Sequence, residues 1–269
     1  MSIQGNSLPD GYPFTRLYRK RVANSQDLAV LVSDHQNRRG TGKTILSLKL
    51  AALMDRTEEG LTPEKVAIDP SELTESYVEL PKGSALVLDE AEAGLNKYEA
   101  GSAVNRTMRE LVSMGRIREK YLVLNLPASS ELDRDLKALC DFWFMIQSKG
   151  TALGHFLRWN PYSEEPRTPK TETWEWSDID EDDPVREVYD YLTDEKLAHL
   201  RGERDESSQR ISASEAQSMI EEARSEAETE TRNELLRSFY SDSELELTQS
   251  DLADVVGLSR SRVADILTD

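Results

Sequence analysis

Cysteine is almost missing from this chain: Cys140 stands alone among 269 residues. A lone thiol excludes an intrachain disulfide framework and any metal cluster built on several cysteines. Long apolar runs are missing too. None approaches the roughly 18–20 residues needed to cross a bilayer, and the first residues carry no apolar signal segment. The expectation is a soluble, cytoplasmic protein without membrane insertion. Positive charge is the third shortage, with 33 Lys+Arg against 51 Asp+Glu and a net charge of −18. Residues 1–160 balance 21 acidic against 21 basic residues, whereas residues 161–269 hold 30 acidic and 12 basic. That step marks a domain boundary. Arg outnumbers Lys by 22 to 11. With the acidic excess and the single cysteine, this composition fits a protein adapted to concentrated salt, where a hydrated negative surface keeps molecules apart; the alternative is an ordinary acidic tail.

What is present is an alternation of apolar strands and amphipathic helices. "DLAVLVSD" (27–34) reads as a buried strand and "KTILSLKLAALMDR" (43–56) as a helix. "KVAID" is a second strand, and "PSELTESYVEL" a helix with Pro70 in its first turn. "SALVLDE" is a third strand, followed by a helix at about 101–119 and the strand "YLVLNLP". "SSELDRDLKALC" opens as a capped helix before the strand "DFWFMIQS". "KGTALG" reads as a turn, with "HFLRWNP" pairing antiparallel to the preceding strand. The alternation implies right-handed crossovers and a mainly parallel sheet with helices on both faces, an α/β fold. Four regions are expected: a polar, loose N-terminal segment at 1–26, the α/β domain at 27–161, an acidic linker and helical region at 162–240, and a tail at 241–269. Within the third, "TETWEW" suggests a short edge strand, 184–201 a helix, and 212–239 a long polar helix, either a solvated spacer or a weak coiled-coil seam.

Two motifs carry chemistry. Asn37-Arg38-Arg39-Gly40-Thr41-Gly42-Lys43-Thr44 follows a predicted strand and opens a predicted helix, the setting of the phosphate-binding pattern GxxxxGK[ST]. Gly40 and Gly42 permit close backbone approach, Lys43 would neutralise β/γ-phosphate oxygens, and Thr44 would ligate Mg²⁺. Asn37 replaces the first glycine, and Asn is the non-glycine residue that best tolerates positive φ. The structural alternative is a Gly-rich turn with a surface lysine. The second motif is "ALVLDEAE": an apolar strand delivers Asp89 and Glu90, of which Asp89 would hold hydrated Mg²⁺ and Glu90 would orient the attacking water. An acidic pair there could equally open a helix. Asn125 ends the strand "YLVLN" and could reach the γ-phosphate or the water, or cap a turn before Pro127. Arg116 and Arg118 close a predicted helix, where they offset its dipole or act as arginine fingers in trans.

Taken together, "NRRGTGKT", "LVLDEAEAGLN", "NRTMRELVSMGRIREK", "YLVLNLPASSELDRDLK" and "FWFMI" resemble, in this order, the FtsK–HerA superfamily of P-loop ATPases. The resemblance is strongest to the zonular-occludens-toxin-like branch common in archaeal plasmids and viruses, and it spans about residues 27–148. It implies a RecA-like P-loop NTPase fold, ATP bound by Lys43 and Thr44, Mg²⁺ near Asp89, catalysis through Glu90, and Asn125 in a sensor position often held by Gln. It also implies a ring-shaped homo-oligomer, usually hexameric, that moves double-stranded DNA. Asn37 and the lack of a membrane-spanning segment such as the toxin-like phage members carry are departures from the pattern.

The tail reads "LTQSDLADVVGLSRSRVADILTD". Counted from Gln249, Ala253 is fifth, Gly257 ninth, Val263 fifteenth and Ile266 eighteenth, the spacing of a helix-turn-helix. Its second helix would present Ser259, Arg260, Ser261 and Arg262 to DNA. The alternative is a three-helix interaction module, which the acidic neighbours Asp251, Asp254 and Asp265 suit. Three functions follow: an ATP-driven DNA translocase or packaging motor, an ATP-switched DNA-binding regulator or partition factor with little turnover, and a nucleotide-dependent adaptor.

Overall fold

The computed structural model describes residues 2–3, 7–34, 36, 38, 40–89, 119–126, 139–160, 165–201, 225, 229, 232–241 and 248–268. Asn37, Arg39, Glu90, Arg116 and Arg118 lie outside these residues. So do the helices expected near 101–119 and 129–140, almost whole, and most of the helix expected at 212–239. The chain divides into two compact units, Met1–Ile220 and Glu221–Asp269.

In chain order the first unit contains β1 (Ser2–Ile3), α1 (Pro13–Ala23), β2 (Leu28–Asp34), α2 (Lys43–Met54), β3 (Val66–Ala67), α3 (Pro70–Glu79), β4 (Ala85–Leu88), β5 (Tyr121–Leu126), β6 (Phe142–Ser148), β7 (Thr151–Phe156), β8 (Arg158–Asn160), β9 (Glu165–Arg167), β10 (Lys170–Trp176) and α4 (Arg186–Arg201). β2, β4 and β5 are buried along their whole length, which is why each reads as a continuous apolar run rather than an alternating one. The main sheet has eight strands in the order β1-β10-β7-β6-β2-β5-β4-β3. From β6 to β3 every neighbouring pair is parallel. The chain leaves β2 toward one edge, returns through β3, β4 and β5, and then places β6 on the other side of β2. Strand order therefore reverses at β2, and ligands of open α/β sheets gather at the carboxyl ends of strands at such a point.

β6 and β7 form a hairpin, with Ser148 paired to Thr151 across Lys149-Gly150. The turn is thus two residues rather than the six of "KGTALG", because Gly150 takes φ +78°, which closes the hairpin at once. β10 pairs antiparallel to β7 and has β1 beside it, so "TETWEW" belongs to the main sheet and is flanked on both sides. The sheet accordingly runs past residue 161.

The N-terminal segment is not loose. Pro13 opens α1, and Phe14, Thr15 and Tyr18 are buried. Phe14 lies 5.0 Å, centroid to centroid, from both Phe142 and Phe144, and 5.7 Å from Trp174. Phe156 joins through Phe142 at 5.3 Å. Four of the chain's five phenylalanines are therefore spent on one cluster that α1 closes. Gly154 is required there, since a Cβ would come within 2.9 Å of the Phe142 ring. At the other end of α2, Tyr18 donates a hydrogen bond to the Met54 carbonyl, 2.7 Å away.

In the second unit residues 232–241 are helical, followed by α5 (Gln249–Val256) and α6 (Arg260–Thr268). Thr248 caps α5 reciprocally with Asp251, and Gly257 ends it in the left-handed region at φ +68°. Leu236, Leu252, Ala253, Val263 and Ile266 form the core. Leu236 comes from upstream of residue 241, so this unit begins earlier than the change in sequence pattern suggests. Its burial explains one apolar position of a helix that otherwise reads as a polar spacer.

Candidate functional site

The loop after β2 is tied down from its first residue. Asp34 is fully buried, and its Oδ1 accepts hydrogen bonds from the backbone N–H of Gln36 (2.7 Å) and of Arg38 (3.3 Å). The Arg38 guanidinium reaches Asp34 Oδ2 at 3.1 Å and donates to the Gln147 carbonyl at 2.7 Å. Position in the motif groups Arg38 with the phosphate-cupping residues; its side chain instead braces that loop against the end of β6. Gly40 and Gly42 take φ +67° and +86°, the left-handed conformation that a Cβ disfavours. Gly42 has a second reason to be glycine, because a Cβ would lie 3.3 Å from Nε1 of Trp176.

Gly42 is the N-cap of α2, and no side chain caps the helix there. The first-turn N–H groups of a twelve-residue helix are thus free of a side-chain cap at its positive end, the arrangement that suits an anion. Lys43 bends back over the loop and donates to the Arg38 carbonyl at 3.2 Å. Thr41 is buried, and its Oγ1 finds no partner among the described residues.

Thr44 brings the two motifs together. Its hydroxyl donates to Asp89 Oδ2 at 2.8 Å. Asp89 is fully buried just beyond β4, with its backbone N–H on the Ala67 carbonyl at 2.8 Å, so the strand end fixes it. β5 lies between β2 and β4, and its Asn125 donates from Nδ2 to Asp89 Oδ1. Asn125 Oδ1 is buried and without a partner among the described residues. Thr44, Asp89 and Asn125 thus converge, while Glu90, Arg116 and Arg118 fall outside the described residues.

Sequence reasoning missed one participant. Lys196, on α4, places its ammonium 2.5 Å from Asp89 Oδ2 and 3.5 Å from Thr44 Oγ1. Nothing near Lys196 in the sequence marks it; only the fold brings α4 across to the ends of β3 and β4. A cation already standing on these two oxygens is a direct sign that the donor set suits positive charge. Among the described residues no group of three or more His, Cys, Asp or Glu could hold a metal alone. A divalent ion here would therefore draw further ligands from a phosphate or from water, as Mg²⁺ does in nucleotide sites.

No family model matches the chain, and no curated protein matches it. Among solved structures, the chain is similar to the N-terminal domain of zonular occludens toxin from Neisseria meningitidis, at 17% identity over 61% of this chain and 98% of that one, with a TM-score of 0.31. No helix among the described residues is long and apolar enough to cross a membrane.

Proposed function

We propose that the chain binds ATP with Mg²⁺ between the β2–α2 loop and the end of β4, and hydrolyses it to drive work on double-stranded DNA as a translocase or packaging-type motor. The observation that supports the nucleotide site is the Thr44–Asp89 hydrogen bond of 2.8 Å at the point where strand order reverses. Two motifs remote in sequence, each ambiguous alone, meet there with the residue types that phosphoryl transfer needs.

The main-chain N–H groups of Gly40 to Thr44 and the start of α2 would cup the phosphates, joined by those of Asn37 and Arg39 upstream, while Arg38 keeps its N–H on Asp34 and holds the loop in place. Lys43 would turn from the Arg38 carbonyl to the β/γ oxygens. Thr44 and Asp89 would hold Mg²⁺, which neutralises charge on the triphosphate. Glu90, next in the chain, would orient and deprotonate water at the γ-phosphorus. Asn125, already hydrogen-bonded to Asp89, would offer to that water its carbonyl oxygen, which has no partner among the described residues. Arg116 or Arg118 would act in trans within a homo-oligomer, for which a hexameric ring is the natural closed form. Arg260 and Arg262, exposed at the start of α6, would meet DNA phosphates and base edges, with Ser259 and Ser261 beside them.

The decisive measurement is the ATPase rate in concentrated KCl with and without double-stranded DNA. A DNA-stimulated rate is expected, together with a loss of about 10²–10³-fold in Lys43→Ala, as when one group that stabilises transition-state charge is removed. Glu90→Gln should retain ATP binding while turnover falls by about 10²–10⁴-fold. A rate indifferent to DNA defeats the motor, and undiminished hydrolysis by Lys43→Ala defeats the site.

A further inference from the structure

We infer that Lys196 is a built-in counter-cation that occupies the metal position beside Thr44 and Asp89, and that loading of Mg²⁺ with nucleotide must displace it, making α4 a sensor of the loaded site. The inference rests on the nucleotide site proposed above.

Asp89 is fully buried at the mouth of the sheet, and a carboxylate there needs a positive partner. Lys196 supplies it at 2.5 Å, on Oδ2, the same oxygen that accepts the Thr44 hydroxyl. Thr44 gives its proton to Asp89, and its Oγ1 accepts from the Lys196 ammonium at 3.5 Å. These are the two oxygens a metal would need. An ammonium and a divalent ion cannot share them, because like charges a few ångströms apart in a site of low dielectric repel strongly. Occupancy is therefore exclusive.

The carrier of the lysine is built to hold it in register yet to release it. Lys49 of α2 is buried and pairs with Asp183 at 2.8 Å, which anchors the segment just before α4. Val185, Val188 and Leu192 then bury the first half of the helix in the main core. Beyond Leu192 the burial thins: Leu197 is 42% exposed, and Lys196 holds this half of the helix to Asp89 and Thr44. α4 is also the last described element of the first unit before the chain continues to the second. Displacing Lys196 thus removes one of the ties on the end of the helix from which the chain departs.

The test uses the full-length protein at fixed ionic strength, with Mn²⁺ as the probe ion, alone and with ADP, read by electron paramagnetic resonance and by calorimetry. Lys196→Met retains the aliphatic stem and removes the charge. It should bind Mn²⁺·ADP at least about tenfold more tightly than the wild type, the equivalent of about 1.4 kcal/mol, whereas Lys196→Arg stays near the wild-type value. Equal or weaker Mn²⁺ binding by Lys196→Met overturns the inference, and Lys43-dependent binding of Mn²⁺·ATP by the wild type would then leave the nucleotide site standing. Failure of both proteins to bind Mn²⁺, with or without nucleotide, removes the nucleotide site and the inference together. Should Lys196→Met not fold, hydrogen exchange in the wild type decides. Amides of α4 beyond Leu192 exchange faster with Mn²⁺·ADP than with ADP and a chelator if the lysine is displaced, and exchange that ignores the metal overturns the idea.

Discussion

Asp34 shows how one buried side chain sets the loop that follows it. Burial alone would raise its pKa; the Arg38 guanidinium and the N–H groups of Gln36 and Arg38 outweigh that and hold the carboxyl below the usual carboxylate range. A folded value below the unfolded one means that the stabilisation is fully present above about pH 4 and is lost as pH falls through the lowered value. Thermal melts should show Asp34→Asn less stable than the wild type at pH 7, with the gap narrowing as pH falls below about 4. A gap that stays constant with pH would count against the carboxylate as its source. Cys140 behaves in the opposite sense. Burial, with the Asp141 charge adding to it, pushes its thiol up to about 12. At pH 8 only about one thiol in ten thousand would be ionised, and thiolate is the reactive form. An aromatic disulfide reagent should therefore leave the native protein unlabelled and react stoichiometrically once denaturant unfolds it; labelling within minutes in native buffer would contradict this burial.

At the level of elements, the most consequential ion pair is invisible in the sequence. Lys65 is fully buried and reaches Asp55 Oδ2 at 3.0 Å and Thr57 Oγ1 at 2.7 Å. Asp55 also accepts the Thr57 backbone N–H at 2.9 Å and the Ala85 N–H at 2.8 Å. The C-terminal end of α2, the start of β3 and the start of β4 are thus pinned to one carboxylate. Removing one member leaves a charge buried without its partner, so Lys65→Met should lower stability by about 3–5 kcal/mol, read from chemical denaturation. The double variant Asp55→Leu with Lys65→Met should recover much of that loss, and no recovery would show that the pair does more than neutralise itself. Which elements the sequence announces follows from the same physics. β2, β4 and β5 are apolar on both faces, and their shortness and Val content mark such runs as buried strands rather than buried helix. β10 alternates Thr-Glu-Thr-Trp-Glu-Trp, the pattern of a half-buried strand, which says nothing about its neighbours. α1 is legible in principle, since Phe14, Leu17, Tyr18 and Val22 lie at helical spacing behind Pro13. Four basic residues mask its short apolar face. Of the candidate site, the glycine-rich β2–α2 loop and Asp89 stand out in the sequence because their pattern is local. Lys196 is not, because its meaning lies wholly in an interaction across the fold.

For the whole molecule, charge and chain order decide what the tail can do. The acidic excess lies after residue 160, and within the second unit the exposed cations at the start of α6 share the surface with exposed Asp251, Asp254 and Asp265. On the proposed reading, DNA affinity there would depend on few phosphate contacts and should be sensitive to salt in proportion to them. Arg260 and Arg262 are exposed, whereas Ser259 accepts the Arg262 backbone N–H at 3.3 Å and so caps α6. The arginines can be removed without touching the core of Leu236, Leu252, Ala253, Val263 and Ile266. Replacing both by Ala should leave helicity and ATP binding intact. In a plot of log K against log salt, the slope for double-stranded DNA should become shallower by about 1.8, at about 0.9 for each phosphate that an arginine no longer neutralises. Truncation is a harsher experiment, and its boundary matters. Cutting at residue 241 would strip the partners from Leu236, so the unit must be removed whole, after Ile220. That shortened chain should bind ATP as the full protein does and lose sequence selectivity for DNA. An unchanged salt slope in the double-arginine variant, with selectivity persisting after the cut at Ile220, would place DNA binding on the first unit and leave α5 and α6 as a protein-interaction module.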